Sequence, residues 1–284
     1  MKIIATVALA AAALAGQLVT TAAASAAVPG RTAVFANSAG DSTASKTARA
    51  FCPSGTVVVG GGAALQALGS DSVKFRTVTP FRSVVDGRYG YTVIAEELRP
   101  FASNWSVAAR AICAPAPAGY EIRSVTVAGS SVTPKTAAAT CSPGRKALAP
   151  GGTVRGSNQV TLRGAVVNNA RDGAFAIGDE VVAGFSGTWD MIATVVCANQ
   201  PTGYAVVENQ VASNGQPDSA VQVTCPPGTT VHGTGGLIIP STAGDTHLYS
   251  FTSVEPNLVL IRAHRSTPTQ NGTWQLRAQA TCAA

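Results

Sequence analysis

One pattern occurs three times in the sequence, as CPSGTVVVGGG at residues 52–62, CSPGRKALAPG at 141–151 and CPPGTTVHGTG at 225–235. Each copy begins with a cysteine and has a glycine three and ten residues later. A second motif, Trp-x-x-x-Ala-x-x-x-Cys-Ala, follows each copy and begins at Trp105, Trp189 and Trp274. Agreement at so many fixed positions indicates three homologous repeats.

The repeats account for nearly the whole chain of 284 residues. We place them at residues 27–114, 115–198 and 199–284, about 85 residues each, which leaves no room for a separate catalytic domain. Residues 1–26 have a positively charged start, an Ala-rich apolar run and the small residues Ala24-Ser25-Ala26. This layout predicts a cleaved signal peptide and a secreted, extracellular protein. No second apolar run of that length follows, so we expect no membrane span.

The six cysteines are Cys52, Cys113, Cys141, Cys197, Cys225 and Cys282. Their spacings of 61, 28, 56, 28 and 57 residues alternate between long and short, which places two cysteines in each repeat. An even number in an exported chain predicts disulfides, and the simplest of the 15 pairings joins the two cysteines of each repeat. There is no Cys-x-x-Cys pair and no cysteine near a histidine at ligand spacing, so no metal site is predicted.

The repeats are predicted to be all-β. From Trp274 to Cys282, apolar or small side chains alternate with polar ones, so the tryptophan and the cysteine share one face of a strand. Five or six short strands fit each repeat, separated by Gly, Pro, Asn and Asp. Two architectures remain open, which are a pseudo-threefold, β-prism-like assembly and three small β-sandwiches in tandem, each with one disulfide per repeat.

The Cys-Pro-x-Gly start, the glycine cluster and the Trp-x-x-x-Ala-x-x-x-Cys-Ala end resemble repeats of secreted actinobacterial proteins whose role is unknown. The likeness covers the whole chain after the leader. The Cys-Pro-x-Gly starts are also faintly similar to those of vitelline membrane outer layer proteins, which are β-prisms of three repeats. That second resemblance implies a carbohydrate-related, noncatalytic role, and it identifies no functional residue.

The sequence contains no recognisable catalytic set, so we predict that the protein is not an enzyme and needs no cofactor. All three histidines, His232, His247 and His264, lie in the third repeat, and their spacing suits exposed or loop positions better than a metal site. The tryptophans share a face with the disulfide cysteines, which favours core packing over sugar stacking. Repeated units without a catalytic set favour binding at several points.

The charge is uneven, since repeat 1 carries nine Lys and Arg against five Asp and Glu. Arg76, Arg82, Arg88 and Arg99 could form a basic face that attracts an anionic wall polymer, but a solvated basic surface without a binding role is the favoured interpretation. Nucleic-acid binding is not expected, because aromatic residues do not interleave with a dense basic stripe. The leading prediction is a noncatalytic binding protein for an extracellular glycan or cell-surface polymer. The alternative is an inhibitor or adaptor that binds another secreted protein.

Overall fold

A computed structural model describes residues 30–66, 72–181, 185–213, 215–239, 246–266 and 274–284. These residues form an all-β protein, as predicted. The predicted signal peptide, residues 1–26, lies outside the described residues.

The described residues contain eighteen strands, and each repeat contributes six. Repeat 1 contains β1 (Thr32–Asn37), β2 (Ser45–Phe51), β3 (Val57–Gln66), β4 (Val73–Arg82), β5 (Tyr89–Glu97) and β6 (Ser106–Ala114). Repeat 2 contains β7 (Glu121–Ser130), β8 (Lys135–Thr140), β9 (Arg145–Arg155), β10 (Val160–Val167), β11 (Gly173–Glu180) and β12 (Trp189–Asn199). Repeat 3 contains β13 (Ala205–Ala212), β14 (Asp218–Thr224), β15 (Thr230–Ile239), β16 (Thr246–Glu255), β17 (Leu258–Arg265) and β18 (Gln275–Ala283).

The strands form three six-stranded sheets, and every sheet is shared by two repeats. Sheet I has the order β1-β6-β3-β16-β17-β14, sheet II has β2-β5-β4-β9-β12-β7, and sheet III has β13-β18-β15-β10-β11-β8. Each repeat therefore places its first, sixth and third strands in one sheet and its second, fifth and fourth strands in another. This cyclic exchange is the pseudo-threefold assembly rather than three tandem sandwiches.

The repeats meet where the third strand of one pairs with the fourth strand of another. Ala64 pairs with Ser250 between β3 and β16, and Gly152 pairs with Val78 between β4 and β9. Gly164 pairs with Leu237 between β10 and β15. The three junctions are equivalent, so no repeat completes a sheet alone.

Near the pseudo-threefold axis, the third strand of each repeat carries a β-bulge seven residues after its first cysteine. The bulged residues are Val59, Leu148 and His232, because the pairing with the sixth strand skips each of them. The next residue meets another repeat at close range, since a Cβ on Gly60 would lie 1.6 Å from the carbonyl oxygen of His232. Gly60 and Gly233 are therefore required by close backbone approaches, whereas repeat 2 has Ala149 at the equivalent position.

Each repeat contains one disulfide, as predicted, joining Cys52 to Cys113, Cys141 to Cys197 and Cys225 to Cys282. In repeat 1, Cys52 follows β2 of sheet II, and its partner lies in β6 of sheet I. The equivalent bonds join sheet III to sheet II and sheet I to sheet III. The three disulfides thus connect the three sheets in a ring, and each closes a loop that the chain-entropy model values at about 4 kcal/mol.

The tryptophans lie in the core, as predicted. Trp105, Trp189 and Trp274 are only 1%, 1% and 2% exposed. Lys135 places its ammonium 4.2 Å from the ring centroid of Trp189, and Lys46 lies similarly against Trp105. A role as three exposed sugar platforms is therefore wrong for these rings.

A side chain near the start of one repeat also donates a hydrogen bond to the backbone beside the bulge of another repeat. The hydroxyl of Tyr120 donates to the carbonyl oxygen of Val58 at 2.8 Å, and Tyr204 makes the equivalent bond to Ala147 at 2.9 Å. At the third position Arg31 donates to the carbonyl oxygen of Val231 at 2.7 Å. Arg31 therefore closes the ring between the first and third repeats, in the place where the other repeats have tyrosine.

Candidate functional site

The histidines are not where the sequence pattern suggested. His232 lies on β15 and His247 on β16, and each is only 2% exposed, so the prediction of exposed or loop positions is wrong for both. His264, on β17, is partly exposed and contacts Asp218 at 2.9 Å. Within the described ranges, no group of three His, Cys, Asp or Glu side chains is arranged to hold a metal ion.

His247 belongs to a buried polar layer formed by the fourth strands around the axis. Lys74 and Thr161 are its pseudo-equivalents, and Lys74 is fully buried, with its ammonium 2.7 Å from a carboxylate oxygen of Glu96. The Nδ1 atom of His247 lies 3.3 Å from the hydroxyl of Thr161. Burial, reinforced by the charge of Lys74, lowers the pKa of His247 to about 3. These side chains are closed to solvent, so the layer stabilises the fold and offers no binding site.

The four arginines proposed as one basic face are separated. Arg82 and Arg88 flank the turn between β4 and β5. Arg76 lies on β4 and pairs with Glu96 at 3.3 Å, while Arg99 donates to the carbonyl oxygen of Ser266 in repeat 3. A single basic surface made of all four arginines is therefore not present.

The spacing that the three repeats share places the same pair of positions, a glycine and the residue facing it, on the outer face of each sheet. The glycine ten residues after the first cysteine, which is Gly62, Gly151 or Gly235, lies beside the junction of two repeats. The side chain three residues before the second cysteine lies on the neighbouring strand and faces this glycine. Without a Cβ at the glycine, the sheet has a potential depression at its centre.

In sheet III the depression is filled. Gln279 extends over Gly235, and its amide exchanges hydrogen bonds with the backbone of Val167, with Oε1 at 2.7 Å from the nitrogen and Nε2 at 3.1 Å from the oxygen. Gln279 is consequently only 5% exposed. The glutamine fastens the junction of repeats 2 and 3 and leaves little space for a ligand.

In sheet II the depression is also closed. A Cβ would be crowded at Gly151, 2.7 Å from the Thr79 hydroxyl, and equally at Gly62 in sheet I, 2.6 Å from the carbonyl oxygen of Phe251, so the two sheets differ in the side chain that faces the glycine. Thr194, the counterpart of Gln279, is 5% exposed and shares a hydrogen bond of 2.9 Å with the hydroxyl of Ser124. Small hydroxyl side chains therefore cover this position.

In sheet I the depression is open and forms a hollow of about 360 Å³. Small residues make its floor, and its walls carry a ring, a guanidinium, two amides and a hydroxyl. The lining residues are Phe35, Asn37, Gly62, Ala63, Ala64, Gln66, Ala108, Ala109, Arg110 and Thr252. We call this feature the sheet I hollow.

Phe35 and Arg110 dominate the sheet I hollow. They are directly opposed on β1 and β6, and the Arg110 guanidinium lies 5.1 Å from the Phe35 ring centroid. The Phe35 ring is 65% exposed, which is unusual for so large an apolar side chain. The counterparts of Phe35 in the other sheets are Glu208 and Ser124. At this position of the repeat, an exposed ring lies beside a cation in sheet I, whereas the other two sheets have Glu208 opposite Gln279 and Ser124 opposite Thr194.

The electrostatics of the sheet I hollow are positive. Arg110 donates to the carbonyl oxygen of Ser253, and no carboxylate pairs with it among the described residues. Burial lowers the pKa of Arg110, and burial followed by the charge of Arg110 lowers the pKa of Arg31. Arg110 is the cation that lines the hollow, and without an acidic partner among the described residues it favours an anionic ligand.

Sequence reasoning identified the glycine of this site but not the residues that give it chemistry. Phe35 and Arg110 could not be recognised from the repeat pattern, because neither residue recurs at the equivalent positions of the other repeats. Comparing equivalent positions of the three repeats would have identified this site. Arg110, Thr194 and Gln279 occupy the same position of the repeat and differ in chemistry.

A scan against models of known protein families found no match, and a search of curated proteins found no similar sequence. Within the part of the chain that the structure describes, no helix is both long and apolar enough to cross a membrane.

Proposed function

We propose that the protein is a noncatalytic binding protein for an extracellular glycan, and that the sheet I hollow holds an acidic sugar unit. The observation that carries this proposal is the exposed Phe35 ring beside the unpaired guanidinium of Arg110. The sequence predicts a glycan or a cell-surface polymer as the ligand. The positive charge of the hollow favours those ligands that carry a negative charge.

The chemistry of the hollow suits a sugar. The apolar face of a pyranose can pack on the Phe35 ring. This contact removes exposed aromatic surface from water and so favours binding. A carboxylate or sulfate group can pair with Arg110, and a charge-assisted hydrogen bond of this kind is stronger than a neutral one. Asn37, Gln66 and Thr252 supply amide and hydroxyl groups for the sugar hydroxyls.

Binding without catalysis is supported by what lines the hollow. Its described lining residues include neither a carboxylate nor a histidine nor a cysteine, so the Thr252 hydroxyl has no general base among them. An extracellular setting is supported by the three disulfides, which are typical of oxidising compartments. The leader sequence supports secretion.

The other two sheets support one binding site rather than three equal ones. Gln279 and Thr194 cover the positions equivalent to the hollow, so the threefold fold does not supply threefold valency at this feature. Binding of a short acidic oligosaccharide is therefore expected to reach a stoichiometry of about one per chain.

Replacing Phe35 by alanine is expected to weaken the binding of an acidic oligosaccharide by roughly tenfold, because it removes the apolar platform. Arg110→Gln is expected to weaken it by a similar factor and to remove its salt dependence, because it removes the cation. Isothermal titration with uronic-acid and sulfated oligosaccharides measures both effects, with neutral oligosaccharides for comparison.

The matched control is Ser124→Ala, at the position in sheet II equivalent to Phe35, which should leave the affinity unchanged. Circular dichroism of each variant separates lost binding from lost structure, which is needed because Arg110 also bonds Ser253. The proposal fails if the unaltered protein binds no glycan of the panel, or if the folded Phe35→Ala variant binds as tightly as the original.

A further inference from the structure

The hairpin between β4 and β5 exposes two large apolar side chains at its tip. Val84 and Val85 are 101% and 92% exposed, so neither packs against the protein. The hairpin tips of the other repeats differ, since the turn after β10 reads Asn168-Asn-Ala-Arg-Asp172 and the turn after β16 contains Pro256-Asn257. An exposed valine pair is thus particular to repeat 1.

The turn that presents the valines is held by its own hydrogen bonds. The backbone nitrogen of Ser83 donates to the carbonyl oxygen of Arg88 at 2.7 Å, and that of Gly87 donates to the carbonyl oxygen of Ser83 at 3.0 Å. Gly87 has a φ of 72°, which a residue with a side chain rarely adopts. The valines therefore project from a defined turn rather than from an irregular loop.

A basic and aromatic collar surrounds the tip. Arg88 lies 4.2 Å from the ring centroid of Phe51, and Arg82 lies 5.5 Å from that of Tyr89. Arg49, on the neighbouring strand β2, is exposed and lines a pocket of about 300 Å³ with Val84 and Val85. The aromatic rings hold the guanidinium groups near the base of the hairpin, around its apolar apex.

The collar carries a net positive charge. Asp86 is the acidic residue of the turn, and its carboxylate pairs with Arg88 at 2.6 Å. Arg82 and Arg49 form no ion pair among the described residues. Two guanidinium groups therefore remain available to an anionic surface.

Charge at the same end of the molecule adds to this field. The strand register places the β4–β5 turn at the end that holds the disulfides, since Phe51, next to Cys52, pairs with Gly90. Lys146 and Arg171 lie at this end in repeat 2, close to Cys141, whose backbone nitrogen bonds Asp172. Asp172 and Glu121 lie at the same end, and Glu121 pairs with Arg145 at 2.6 Å, so the basic groups of repeat 2 are partly offset and the collar itself supplies most of the positive charge at the tip.

We propose that this hairpin docks the protein on an anionic lipid bilayer, with Val84 and Val85 entering the interface and the arginines contacting lipid phosphates. Apolar insertion and attraction to anionic headgroups act together in interfacial binding. A soluble polyanion would engage the arginines and leave both valines in water, so it would not account for the apolar tip. The bilayer explains the valines and the collar together.

The test is flotation of the full mature chain with vesicles of phosphatidylcholine alone or with about one third phosphatidylglycerol. The protein is expected to float with the anionic vesicles and not with the neutral ones. The double variant Val84→Ser/Val85→Ser should lower the partition coefficient by at least about tenfold. The double variant Arg49→Gln/Arg82→Gln should lower it several-fold and reduce its dependence on salt.

The matched control is Val132→Ser, which removes a valine that is 62% exposed near the opposite end and should leave flotation unchanged. The membrane proposal is overturned if the protein does not float with anionic vesicles. It is also overturned if flotation depends on the arginines and ignores the valines, the result expected for a polyanion site. Phe35→Ala should float normally, so failure of the glycan proposal and failure of this one are distinguishable.

Discussion

Gly60→Ala is expected to prevent the protein from folding. A Cβ at this position would lie 1.6 Å from the carbonyl oxygen of His232, a distance that no side-chain rotation can relieve because the obstructing atom belongs to the backbone. The third strands of two repeats would have to separate at the axis. We expect a destabilisation of more than about 4 kcal/mol, which is a large share of the stability of an ordinary domain.

The measurement is recovery of soluble protein followed by urea unfolding monitored by circular dichroism. Gly40→Ala is the matched control, because nothing lies within 4 Å of its Cβ position, and its stability should match the original within about 0.5 kcal/mol. A folded Gly60→Ala variant of near-normal stability would contradict the close approach of β3 and β15.

Acid is expected to destabilise the protein at pH values where most carboxylates are still ionised. Burial lowers the pKa of His232 to about 4 and that of His247 to about 3, while an unfolded histidine titrates near its ordinary value of about 6.5. The unfolded chain therefore binds more protons between about pH 6.5 and about pH 4, and the free energy of unfolding falls as the pH falls through that range. Across that pH range the two histidines together lower the free energy of unfolding by on the order of 6 kcal/mol, because the unfolded chain binds nearly one more proton at each histidine and each pH unit then costs about 1.4 kcal/mol per proton.

Urea unfolding at a series of pH values from about 7 to about 4.5 measures this loss. The double variant His232→Gln/His247→Gln should show a much flatter dependence, because glutamine does not titrate. The unaltered protein, measured in the same buffers, is the reference for this slope. An equally steep loss in the double variant would show that other groups cause the acid sensitivity.

The repeat, its β character and its disulfides could be predicted because they depend on local pattern. Alternation along the strand to Cys282 fixes which side chains share a face, and the cysteine spacing fixes how many units exist. The sharing of sheets could not be predicted, since alternation specifies the face of a strand and not its partner. The same pattern would suit three separate sandwiches.

The burial of His232 was missed because the histidine was considered alone. Its counterparts Val59 and Leu148 are apolar, and alignment with them indicates a core position for the histidine as well. The sheet I hollow could not be predicted from the repeat, because the repeated residues build the fold, whereas Phe35 and Arg110, which carry the proposed binding site, do not repeat.

An NMR titration of isotope-labelled protein with an acidic oligosaccharide tests the sheet I hollow most directly. Saturable shifts are expected for the amides around Phe35, Gly62 and Arg110, with little change at Gly151 and Gly235, the equivalent glycines of the other two sheets. Shifts confined to sheets II and III, or no saturable shift with any acidic or neutral oligosaccharide, would contradict binding at the hollow.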